Sequence, residues 1–224
     1  MALVFVGLTA LVGCSSPPGP EPATPAPAIP EEAVAYDDVK SLEERPYPYT
    51  GDCSQFDPAK LRELGLAGTG SPSRGLGDKA CLLDGEEDGT LSQVWVTAEP
   101  PPNPSVDRAF PDFWLGHKHS GHFHRTILLD RYYAVRQLDL RGVPITPRCE
   151  YVVDTGSPHA IRFTGLLHEH IGAPLGERIK PAMTWEVNEA EADKFMTEHC
   201  PRMREITEEL LPMIDPDGGS LATQ

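Results

Sequence analysis

Four histidines crowd into eight residues, His117, His119, His122 and His124, forming two H-x-H pairs. On an extended strand residues two apart share a face. Each pair could therefore present two imidazoles to one ion, and zinc or copper accepts three or four such nitrogen ligands. Asp112 and Asp130 could add carboxylates. The competing reading is a solvated polar loop, because a short His-rich tract is only a compositional signal. His168-Glu169-His170 is a weaker candidate: the metalloprotease motif spaces its histidines so that both fall on one helical turn, and residues i and i+2 of a helix point apart. The chain has no G-x-S-x-G elbow, no S-x-x-K nucleophile motif and no phosphate-cradling loop, and Ser157 after Gly156 suits a turn. With 34 acidic residues, neighbouring carboxylates are expected without function. A non-enzyme with no cofactor is the expectation.

The five cysteines carry more specific chemistry. Cys14 closes the run Leu11-Val12-Gly13-Cys14, at the end of the apolar stretch Ala2 to Val12, and Ser15-Ser16-Pro17-Pro18 follows at once. A spanning helix needs about 20 apolar residues. The run is too short for that and reads as a signal peptide over residues 1–13. Its end resembles a lipobox, in which the cysteine thiol takes a diacylglyceryl group and becomes the new N-terminus. A signal peptide ordinarily starts with basic residues, yet no Lys or Arg precedes Lys40. This leads us to expect coding sequence upstream of Met1.

Cys53, Cys81, Cys149 and Cys200 remain, an even number in an exported chain, which suggests disulfides. Three pairings are open; the nearest-neighbour one, Cys53 with Cys81 and Cys149 with Cys200, gives each half its own staple. No C-x-x-C spacing favours a zinc site over them. The formal charge of −15 argues against nucleic acid and against a polybasic lipid-binding surface.

The elements that would position these groups follow from pattern. Residues 14–50 are rich in Pro, Ala and Glu and read as a lipid-anchored, disordered, semi-stiff linker. A globular domain is expected over 51–214, and a disordered tail over 215–224. Asp57-Pro58 starts a short helix over about 57–65, and the Gly70–Gly77 stretch reads as turns. Residues 80–83 and 91–98 form a hairpin around an acidic turn, ended by Glu99–Pro104. Residues 125–140 lean toward strand, and 148–154 with 159–164 form a hairpin about Thr155-Gly156-Ser157-Pro158. Asn188 caps a helix over 189–198, and Pro201 is expected to restart a second helix bearing Met203, Ile206, Leu210 and Met213 on one face, because an interior proline costs about 3 kcal/mol. Trp95, Phe110, Phe113, Trp114, Tyr132 and Tyr133 read as core, with Phe113-Trp114 the pair that could line a ligand groove. The fold class is α+β: a disulfide-stapled antiparallel sheet with helices packed on a face, preceded by a signal peptide and Pro-rich linker.

A lipobox, a Pro-rich spacer, a cysteine before a short helix (GDCSQFDPAKLRELGLAG), a second opening a strand (Ala80-Cys81), a third heading a hairpin (CEYVVDTGSPHAIRF) and a fourth heading the last amphipathic helix (HCPRMREITEELLPM) occur in that order. The order resembles a family of actinobacterial putative lipoproteins with a cysteine-paired domain of unknown function, over about residues 50–213. The resemblance implies location and fold and no activity, and the histidine-bearing insert at 104–124 is not shared with it. The expectation is a non-enzymatic binding or interaction module, held by lipid on Cys14 to the extracytoplasmic face of the cell membrane, with an envelope protein or small ligand as partner. The alternatives are a zinc- or copper-binding lipoprotein and a cell-wall hydrolase.

Overall fold

A computed structural model describes residues 45–72, 80–87, 89–101, 107–116, 122–141, 145–180 and 187–220. Cys14, the expected signal peptide and most of the linker lie outside them, as do His117 and His119. Helix α1 (Pro58–Glu63) starts as its sequence dictates: the Asp57 carboxylate accepts from the Ala59 N–H at 2.9 Å, and Pro58 takes the first helical position, where no N–H is needed. Strands β1 (Leu66–Pro72), β2 (Ala80–Gly85) and β3 (Leu91–Glu99) follow, then helix α2 (Phe110–Trp114). Strands β4 (Phe123–Leu128), β5 (Tyr132–Asp139), β6 (Arg148–Asp154) and β7 (Ala160–Leu167) come next, and helices α3 (Glu169–Ile179) and α4 (Glu189–Ile214) end the fold. The seven strands make one antiparallel sheet in the order β1-β2-β3-β7-β6-β5-β4, so two meanders join where β3 pairs with β7. Cys53–Cys81 and Cys149–Cys200 are the two disulfides, the nearest-neighbour pairing.

Alternation along the strands splits the sheet into two faces. Val94, Val96, Tyr151, Val153, Ile161 and Phe163 point to one face and pack beneath Phe195, Met196, Met203, Ile206 and Leu210 of α4, forming the main core. Gly165 lets α4 come close, since a Cβ there would sit 2.3 Å from the Met203 sulfur. On the other face Tyr133, Val135, Val152 and Ala160 pack with Phe110, Phe113 and Trp114 of α2 in a second, smaller core. That core covers only part of the face.

Four features depart from the sequence reading. The stretch read as turns begins inside β1, which runs on to Pro72 and whose Gly70 is there for clearance: a Cβ on it would lie 2.6 Å from the Cys81 sulfur. Residues 125–140 are two strands, β4 and β5, joined through Leu129 and Asp130 at φ 52° and 56°, left-handed conformations usually signalled by Asn or Gly. Helix α4 is continuous through Pro201 instead of breaking at Cys200. Its apolar stripe is buried on both sides of the proline, and Pro201 itself is exposed, so the carbonyl deprived of its partner stays hydrated. The packed chain also exceeds residues 51–214 at both ends. Tyr49 is buried, the Arg45 guanidinium meets the Asp215 carboxylate through two 3.0 Å hydrogen bonds, and Ser220 Oγ accepts from the Tyr133 N–H at 2.8 Å.

Candidate functional site

Beyond α2, the second face of the sheet turns from apolar to ionic. Strand register lines up Trp95, Thr164, Glu150 and Gln137 in one row across β3, β7, β6 and β5. Thr97 and Arg162 are paired in the next row toward α2, and Arg148 and Asp139 in the row on the far side. Arg141, just past the end of β5, folds back over them. Together with Glu99 these side chains surround an open cup of about 310 Å³ lined by Trp95, Thr97, Glu99, Arg141, Arg148 and Glu150 among others.

Glu150, 1% exposed, sits at the base of the cup. One carboxylate oxygen accepts from Gln137 Nε2 at 2.6 Å, the other from the Thr164 hydroxyl at 3.0 Å. The guanidinium groups of Arg141 and Arg162 stand 3.5 and 3.6 Å from that second oxygen. Asp139, equally buried, accepts from Arg141 Nε at 2.7 Å and from Arg148 at 3.3 Å, and Arg162 also pairs with Glu99 at 3.0 Å. The bond to Asp139 holds the Arg141 guanidinium more basic than usual. Arg148 additionally lies over the Trp95 ring, 5.3 Å from its centroid, a cation–π contact. Three cations and three anions thus alternate over half a sheet face. Burying such charges is tolerable only because each is paired. The network is not saturated by its own members: Arg148 Nε, Arg162 Nε and Gln137 Oε1 are buried without a hydrogen-bond partner.

The histidine tract is placed elsewhere. His122 and His124 flank Phe123 at the start of the edge strand β4, and what His122 faces is the first turn of α4. Its Nε2 lies 2.7 Å from a Glu189 carboxylate oxygen, and Nδ1 is 3.9 Å from Asp193. The two carboxylates meet opposite edges of the ring. Burial, then Arg136 and His122, lowers the His124 pKa. Among the described residues no group of three or more His, Cys, Asp or Glu side chains is placed to hold a metal ion. His168 precedes α3, and its ring lies 5.6 Å from that of His170 while its Nε2 approaches the Glu86 carbonyl at 3.4 Å. Phe113 and Trp114 are 1% and 0% exposed, so they fill the second core and line no groove; of the aromatic set, Trp95 borders the cup. Another buried acid, Asp154, is held by Arg108 and the Gly156 N–H; burial raises its pKa in spite of both.

None of the cup's ionic residues stood out in the sequence. The readable signal was period-two charge inside strands: Gln137 and Asp139, Arg148 and Glu150, Arg162 and Thr164 alternate with apolar residues that face α4. Comparison with protein-family models, curated proteins and solved structures finds no match for this chain.

Proposed function

We propose that this chain is a non-enzymatic binding module of the cell envelope, held at the extracytoplasmic face of the membrane by lipid on Cys14, and that the cup is its ligand site. The observation that carries the reading is the organised ionic face itself. Paired charges are concentrated on the part of the sheet that α2 leaves uncovered, arranged around one cavity. Its carboxylates are clamped by guanidinium groups, an arrangement suited to orienting a polar ligand. Two disulfides agree with an oxidising compartment. No described helix is long and apolar enough to cross a membrane, so attachment by lipid on Cys14 is the membrane link this reading uses.

Fractionation of cells producing the chain and its Cys14→Ser variant tests the anchor. The chain should partition with membranes and carry acyl mass on Cys14, and the variant should be released. Identical partitioning of the two would overturn the anchored reading.

A further inference from the structure

We infer that the cup takes a neutral saccharide, an inference that rests on reading the cup as a ligand site. The first argument is charge parity. Arg141, Arg148 and Arg162 are balanced by Glu99, Asp139 and Glu150, and the last two acids are buried. A ligand with net charge would leave one charge of this desolvated set uncompensated, which is costly away from water. A ligand of zero net charge leaves the balance intact.

The second argument separates sugars from zwitterions. To bind an ammonium group, the cup would have to offer it a carboxylate whose charge is not already balanced, and each carboxylate is neutralised by at least one guanidinium. The surplus lies in interleaved donors and acceptors: a guanidinium has five N–H donors and a carboxylate about four lone-pair positions, more than the pairs consume. Hydroxyl groups donate and accept at once, so vicinal hydroxyls match a surface where the two kinds alternate. Thr97 adds a hydroxyl, Trp95, with Arg148 over its ring, gives the cup an apolar border for a sugar's C–H groups, and about 310 Å³ suits one or two rings at the small end of ligand sites. Arg141, with 62% of its side chain exposed and its Nε held by Asp139, forms the rim.

Calorimetric titration of the full chain with glucose, arabinose, N-acetylglucosamine and maltose, beside glycylglycine and inorganic phosphate, tests the inference. Two variants accompany it: Thr97→Trp to fill the cup, and Arg141→Ala, which removes an exposed rim residue while Arg148 and Arg162 still face the buried acids. At least one saccharide should bind saturably, with affinity at least tenfold weaker in both variants. Binding of glycylglycine or phosphate but of no saccharide, weakened by the variants, would overturn the saccharide class and keep the cup as the site. Saccharide binding untouched by either variant would overturn the cup as the site. Failure of every probe to bind would overturn the saccharide inference.

Discussion

Glu150 and Arg141 touch the same network and should respond to mutation by very different amounts. Glu150 is buried, with hydrogen bonds to Gln137 and Thr164 and guanidinium groups nearby. Its removal strands the Gln137 and Thr164 donors and leaves Arg141 and Arg162 with one carboxylate fewer. Glu150→Ala should therefore lower unfolding free energy in urea by about 3–5 kcal/mol. Arg141→Ala should cost less, about 1–2 kcal/mol, because Arg141 is largely exposed and Arg148 and Arg162 still face the two buried acids. A second expectation concerns pH. Burial lowers the His124 and His199 pKa values below the usual 6.5, so the unfolded chain takes up protons that the folded chain refuses. Stability is then full above pH 6.5 and falls as pH drops from there through the two lowered values. Thermal melts across this range should show the decline, and the His124→Gln, His199→Gln double variant should flatten it. At this scale the cysteines were legible because few residues compete for their chemistry. The ionic cup was not: in a chain with 34 acids, only strand register distinguishes a clustered carboxylate from a solvated one.

At the scale of elements, α4 shows packing overriding local preference. Pro201 forfeits one backbone hydrogen bond, yet Phe195, Met196, Cys200, Met203 and Ile206 keep the helix on the sheet across it. Pro201→Ala should restore the bond and raise stability by about 1–3 kcal/mol, measured by urea unfolding. In α3 the sign reverses: a Cβ at Gly176 would sit 1.8 Å from the Ile145 carbonyl oxygen, so Gly176→Ala should destabilise by about 1–3 kcal/mol despite alanine's better helix propensity. The elements that could be read in advance, α1 and the β6–β7 hairpin, carry their own signals in Asp57-Pro58 and in Gly156 at φ 75°. Those that could not were β1, α3 and the β4–β5 turn. Their glycines answer to distant neighbours, and the turn places Leu129 and Asp130 where glycine is customary.

At the scale of the molecule, two cross-links and one ion pair tie distant parts of the chain. Cys149–Cys200 closes a separation of 51 residues, joining β6 to α4, and Cys53–Cys81 closes 28. Loop entropy assigns them about 4 and about 3.5 kcal/mol. Replacing the first pair by alanine should accordingly shift the urea midpoint slightly more than replacing the second. The Arg45–Asp215 contact brings the end of the linker beside the end of α4, so both ends of the packed chain leave from one place. The α+β class followed from element order, but the joining of the two meanders through β3 and β7 did not, because strand order depends on pairing between residues as far apart as Leu91 and Leu167.

The two disulfide loops are consecutive and do not overlap. A protease that cuts within either loop leaves the halves covalently joined until a reductant is added. A cut between Cys81 and Cys149 severs the chain outright, leaving the β3–β7 pairing and the shared core to hold an N-terminal and a C-terminal piece together. On the anchored reading, a cut in that middle stretch could set the C-terminal half of the domain free while the N-terminal half stays on the membrane and both bridges stay oxidised.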